Sequence, residues 1–226
     1  MNADGSGRTV LTRDEHENRA PVFTPDGRSI VYVSVTAHGT ELCRMNADGS
    51  QRRVLAKTFP NASPDVSPDG RWVAFEHPEV STQLALQLAR VPIDGGAVEI
   101  LSGRGATMPA YSPDGSKIAA YTYEGEESIV IFPSARGELL QAIRFAYAYI
   151  GSQLAWTPDG TAVITNTAPS DRANLWVLPL DGSKPYKLTS FDERQLMAYA
   201  PLPGGRGWVL SRGDLTRDAV MITGFE

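Results

Sequence analysis

Pro25-Asp26-Gly27, Pro68-Asp69-Gly70, Pro113-Asp114-Gly115 and Pro158-Asp159-Gly160 recur along the chain at steps of 43, 45 and 45 residues. A degenerate copy, Pro203-Gly204-Gly205, follows after another 45. In each tripeptide proline fixes φ for the first corner of a tight turn, aspartate tolerates the second, and glycine takes the left-handed position that follows. A turn repeated at this period marks a chain built of copies of one supersecondary unit. The residues around the first turn show what the unit is. Pro21-Val22-Phe23-Thr24 leads in, Ser29-Ile30-Val31-Tyr32-Val33 leads out, Glu41-Leu42-Cys43-Arg44-Met45 follows, and Arg53-Val54-Leu55 closes the unit after Ala47-Asp48-Gly49-Ser50. The fourth copy repeats the scheme with Leu154-Ala155-Trp156, Ala162-Val163-Ile164, Leu175-Trp176-Val177 and Tyr186-Lys187-Leu188. Short β-branched and aromatic runs between Gly, Pro and Asp punctuation are strands. Four short strands per unit of about 45 residues predict an all-β chain, a β-propeller of about five four-stranded blades.

The predicted units run about 13–57, 58–102, 103–147, 148–192 and 193–226, the last completed by 1–12, within a single domain of residues 1–226. The N-terminal Asn2 to Thr12 reads as the end of a unit, while Asp218 to Thr223 reads as a third strand with no fourth behind it. Arg8–Thr12 is therefore expected to pair with the C-terminal blade and close the ring, which removes exposed sheet edges. A closed ring is expected to be monomeric. The alternative is an excerpt of a larger propeller with six or more blades.

Composition narrows the function classes. The 226 residues are 42% hydrophobic and 21% charged, a balance that supports a folded core. With 21 basic against 26 acidic residues and no basic cluster, the chain lacks the counterion-displacing surface of a nucleic-acid binder. No apolar run reaches the roughly 20 residues of a membrane-spanning helix, so no membrane contact is expected within this chain. Cys43 is the lone cysteine, so an internal disulfide is ruled out.

Pro109-Ala110-Tyr111-Ser112-Pro113-Asp114-Gly115, and Asp181-Gly182-Ser183 through Leu188-Thr189, resemble the TolB-type, WD40-like (PD40) propeller repeat. The matching residues are turn and core positions, so the resemblance speaks to fold more than to function. The C-terminal third, from Asn174-Leu175-Trp176 through Leu180-Asp181-Gly182-Ser183 to Asp214 and Val220-Met221-Ile222-Thr223, is also similar to the sensor propeller at the end of large bacterial signalling proteins. By that resemblance the module would be periplasmic or otherwise extracytoplasmic, and would report on a ligand or partner.

Antiparallel strands alternate direction, so the Pro-Asp-Gly and Asp-Gly turns share one face, and the variable connections collect on the other. Function tends to sit on loops carried by a rigid scaffold, which places a site around the mouth of the central channel. Aligning the prolines puts Asn18, Arg19, Asn61, Ser63, Thr107, Ser152, Gln153 and Gln195 at the channel rim. These residues are mostly neutral and able to hydrogen-bond a peptide backbone or a small polar ligand. Asp65 is singular because its counterparts are Val22, Ala110, Ala155 and Ala200. The expected partner is therefore a protein or peptide, or a small polar ligand.

Catalytic and metal motifs are weak. His16, His38 and His77 occupy no common repeat position and form no metal-binding pattern, so neither metal nor cofactor is expected. A propeller glycosidase or lyase would need two carboxylates flanking the scissile bond, assembled from Asp65, Glu76, Glu124 and Asp171. No feature of the sequence selects a pair among them. A noncatalytic interaction or sensing module is the expected function. The alternatives are a propeller enzyme and a gating propeller excised from a peptidase.

Overall fold

A computed structural model describes residues 6–59, 61–78, 86–122, 129–145, 153–166, 174–191, 195–201 and 207–213. All the regular structure in them is β. The first blade is β1 (Glu17–Phe23), β2 (Ser29–Thr36), β3 (Gly39–Asn46) and β4 (Arg53–Lys57), each antiparallel to the next. The second and third blades share one sheet of seven strands. These are β5 (Asp65–Val66), β6 (Trp72–Pro78), β7 (Leu86–Pro92), β8 (Glu99–Tyr111), β9 (Lys117–Thr122), β10 (Ile129–Pro133) and β11 (Gln141–Ile143). The fourth blade is β12 (Ala155–Trp156), β13 (Ala162–Asn166), β14 (Leu175–Pro179) and β15 (Tyr186–Lys187). Two strands of the fifth, β16 (Gln195–Pro201) and β17 (Trp208–Gly213), complete the described set.

The seven-stranded sheet arises because β8 serves two blades. Its first half pairs with β7 as the outer strand of blade two, and its second half pairs with β9 as the inner strand of blade three. The unit boundary expected at 102/103 lies inside this strand.

The second strands of blades two, three and four are apolar on both faces because each sits between two blades. Val73 and Phe75 of β6 pack with Val31, Leu42 and Leu55 of blade one, whereas Ala74 packs with Ile118, Ala120 and Val130 of blade three. Ala119 and Tyr121 then meet Trp156, Val163 and Leu178 of blade four, and Ile164 and Val177 meet Leu196 and Tyr199 of blade five. Four apolar layers in series hold the blades together.

The repeated turns serve the same stacking. In each, a Thr or Ser side chain and the backbone N–H two residues past the aspartate donate to the Asp carboxylate, as from Ser112 and Ser116 to Asp114. Those donors hold Asp26, Asp69, Asp114 and Asp159 below the ordinary carboxylate range. The left-handed Gly115 (φ 72°) presents its bare α-carbon to Pro68 of the preceding blade, and a Cβ placed there would stand 3.5 Å from Pro68 Cδ, in van der Waals contact. Gly70 meets Pro25 and Gly160 meets Pro113 in the same way. Bonds such as Ala47 N–H to Arg28 C=O and Ile93 N–H to Arg71 C=O tie the Pro-Asp-Gly turn to the second turn of its blade on one face.

The N-terminal strand expected to close the ring is not formed. Residues 6–16 carry no strand, and Leu11 packs instead on Ile30, Tyr32, Cys43 and Met45 of blade one. This apolar face has no blade against it among the described residues, so burying Leu11 there is favourable. The Leu11 carbonyl lies 2.8 Å from where a Cβ on Gly49 would stand, so only glycine admits it. The expected partner stretch, 218–223, and the degenerate turn at 203–205 lie outside the described residues. No strand pairing among the described residues joins the first and fifth blades. Accordingly Phe23 is 60% exposed, while its counterparts Val66, Tyr111 and Trp156 are buried against the preceding blade.

Candidate functional site

The inner strands of four blades converge on a cavity of about 510 Å³, lined from Ala20–Val22, Ser63–Val66, Met108–Tyr111 and Gln153–Trp156, with Pro68 and Pro113 at one end. Its shape follows from bulges in two of those strands. The register slips between Arg19 and Val22 in β1, and between Thr107 and Ala110 in β8. The slip leaves Ala20 and Met108 in the left-handed region, with φ of 47° and 54°. Both precede a proline, which disfavours helical conformations and adds to the strain. A bulge re-aims the residues around it, and bulged inner strands commonly border binding sites.

Glu76 holds the bulge in β8. It is 1% exposed, and its carboxylate accepts from Ser63 N–H (3.1 Å), Thr107 Oγ1–H (2.8 Å) and Met108 N–H (2.6 Å). Burial pushes its pKa up, and these donors push it back. One carboxylate thus ties the inner strands of blades two and three together.

Asp65 occupies the wall itself. Its two oxygens accept from Val66 N–H (2.9 Å) and Tyr111 N–H (2.7 Å), another link between blades two and three. Desolvation raises its pKa to about 6, against those two donors. No ion pair reaches it among the described residues. On the next junction Trp156 Nε1–H donates to Ala110 C=O at 2.9 Å, and on the one after Tyr199 O–H donates to Gln153 C=O.

The rim residues fall into distinct groups. Ser63, Asp65 and Gln153 line the cavity. Arg19 donates to Asn61 Oδ1 at 2.9 Å and pairs with Glu17 at 2.6 Å, joining blades one and two just outside it. Asn18 donates to Asp14, and Thr107 is buried with its hydroxyl committed to Glu76. Gln195 lies in β16 opposite Gly213, and Ser152 lies outside the described residues. Of the carboxylates weighed as a catalytic pair, Glu76 is enclosed, Asp65 faces the cavity, and Glu124 and Asp171 lie outside the described residues. Among the described residues no three His, Cys, Asp or Glu side chains are grouped to hold a metal ion, and no helix is long and apolar enough to cross a membrane.

Residue-level reading of the sequence missed Glu76 as the bulge holder, and missed the proline wall. A signal existed for the latter, because Pro21, Pro64 and Pro109 stand at one repeat position. Glu76 shares its position with Val33, Tyr121 and Asn166, which discloses nothing without the geometry.

The chain superposes on a putative TolB from Agrobacterium tumefaciens with a TM-score of 0.70 at 19% identity, covering 91% of this chain and 73% of that one. TolB from Acinetobacter baumannii gives 0.65 at 21% identity, over 77% of this chain and 43% of that one. The fold is a TolB-like β-propeller. An oligogalacturonate lyase solved with manganese shares the propeller at TM-score 0.62 and 14% identity, over 90% of this chain and 61% of the lyase. No protein-family model matches. By sequence, the TolB-like propeller is 32% identical over 107 residues to the uncharacterized protein Atu1656 of Agrobacterium fabrum, covering 46% of this chain and 36% of that protein. It is 29% identical over 164 residues to dipeptidyl-peptidase 5 of Aspergillus fumigatus, covering 62% of this chain and 22% of the peptidase. The Tol-Pal system protein TolB of Alcanivorax borkumensis is 33% identical over 75 residues, 32% of this chain and 17% of that protein. Each of these matches therefore spans little more than a third of its relative, or less.

The Asp65 environment has a consequence for stability. Because its folded pKa of about 6 exceeds the ordinary 3.8, the folded state binds this proton more tightly than the unfolded chain. Its contribution is fully present below about pH 4 and lost as pH rises through about 6. Relative to an Asp65→Asn variant, the native chain should therefore gain roughly 2 kcal/mol as pH falls from about 7 to 4. Urea unfolding of both proteins at several pH values checks this, and a difference independent of pH would contradict it.

Proposed function

We propose that this propeller is a noncatalytic binding module that takes a protein or peptide segment at the mouth of its channel. One observation carries the reading: the inner strands of four blades, two of them bulged and three bearing a proline, leave an open cavity of about 510 Å³, braced by the buried Glu76 and by Asp65 in its wall. Polar groups at its edge, from Ser63 and Gln153 to the linked Arg19 and Asn61, suit hydrogen bonding to an extended backbone. The TolB proteins of the same fold support this class. The match to dipeptidyl-peptidase 5 favours a second reading, a propeller that gates the catalytic domain of a longer peptidase. In both readings the chemistry belongs elsewhere. Asp65 is the one carboxylate among the described lining residues, so a flanking carboxylate pair has no second member there.

A pull-down beside a folded variant carrying Arg19→Ala, Asp65→Asn and Gln195→Ala tests the reading. A protein captured by the native chain and lost by the variant is the expected result. Equal capture by both would remove the site from the channel mouth. Capture of a hydrolase domain would favour the gating version.

A further inference from the structure

The cavity wall has been stripped of backbone donors. Of its ten lining residues on blades two and three, four are prolines, which have no N–H: Pro64, Pro68, Pro109 and Pro113. The N–H groups of Val66 and Tyr111 are taken by Asp65, and those of Ser63 and Met108 by Glu76. The remaining two, Asp65 and Ala110, lie in strand register with Ala74 and Ala119. Across the cavity the indole N–H of Trp156 is committed to Ala110 C=O. Such a wall offers acceptors and apolar carbon. At its centre stands a carboxylate with no ion pair among the described residues.

Away from the polar edge at Ser63 and Gln153, a neutral backbone segment would find few donors for its carbonyls along this wall. A cation on an aliphatic stem would satisfy the wall fully, because it brings only donors, supplies the missing countercharge and lays its methylenes on proline rings. We propose that the cavity receives a basic side chain of the bound partner, its ammonium or guanidinium at Asp65 and its stem against Pro64 and Pro109. This rests on the binding-module reading and names the group recognised. The elevated pKa of Asp65 fits a carboxylate lacking its counter-ion.

The test is an NMR titration of the intact, isotope-labelled chain with n-butylammonium and, separately, with 1-butanol, its neutral counterpart. The ammonium should shift the amides of Val66 and Tyr111, and a folded Asp65→Asn variant should bind it at least about tenfold more weakly. Binding of butanol should be weaker in the native chain and the same in the variant. Equal affinity for the two probes overturns the proposal, and this comparison needs only the native chain if the variant fails to fold.

Three short peptides then identify the source of the charge: N-acetyl-Gly-Lys-Gly amide, Gly-norleucine-Gly amide with a free amino terminus, and the N-acetylated form of the latter. The proposal requires the lysine peptide to bind best, and preference for the free terminus overturns it. If peptides shift the cavity amides equally with or without a cation, the binding module stands and this inference falls. If neither amine nor peptide shifts them, both fall.

Discussion

Replacing Glu76 by alanine should destabilise the protein by about 3–5 kcal/mol, the largest effect expected of any single polar substitution in the described chain. Three donors now converge on its carboxylate from two blades, and two of them, from Thr107 and Met108, belong to the bulge in β8. Alanine would leave all three facing a hole in a region where the side chain is 1% exposed. Each orphaned buried donor costs about 1–3 kcal/mol, offset in part by losing a buried charge. Glutamine should recover part of the loss, since its carbonyl oxygen can keep the donors of one carboxylate oxygen while its amide N–H₂ confronts the other. Urea unfolding of the three proteins measures this ordering. A loss below about 1 kcal/mol for alanine would mean that water replaces the carboxylate and that the bulge holds itself.

Trp156→Ala should cost about 3–5 kcal/mol, as expected for truncating a buried aromatic. The indole packs among Ala110, Ala119, Tyr121, Phe145 and Val163, so it fills the junction between blades three and four. It also donates across that junction to Ala110 C=O. Trp156→Phe separates the two contributions, because it keeps most of the ring and removes the donor that crosses the junction. A loss of about 1–2 kcal/mol is expected for it. Trp156 also lines the cavity, so both variants should weaken partner capture even where they remain folded. Thermal and urea unfolding, read beside capture, test this. Full capture by a folded Trp156→Ala variant would show that the wall of blade four takes no part in binding.

The propeller was legible because its information is local and repeated. Pro113-Asp114-Gly115 declares its turn, and Ile118 to Tyr121 declares a strand buried on both faces, whatever lies around them. The place of the N-terminal segment was not legible, since it depends on which surface Leu11 finds. Leu11 matches the strand-ending leucines of other repeats, such as Leu55, yet it rests on the face of Cys43 and Met45. The site was half legible. Asp65 stood out by comparison with Ala110 and Ala155 at its repeat position. Thr107 read as a rim residue, yet it is turned inward by Glu76, a partner 31 residues away whose own repeat position carries no pattern. What the sequence withheld was the pairing of polar groups between blades, which only three-dimensional register determines.

The claim that the channel mouth is where this propeller binds is tested most directly by photo-crosslinking from a chosen side chain. Gln153→p-benzoylphenylalanine places the reactive group at the exposed edge of the cavity, and Arg136→p-benzoylphenylalanine places it on the exposed turn before the outer strand of blade three. Irradiation with the captured partner should give an adduct from position 153 and none from position 136. An adduct from position 136 alone would put binding on the outer rim of the blades and contradict a channel-mouth site.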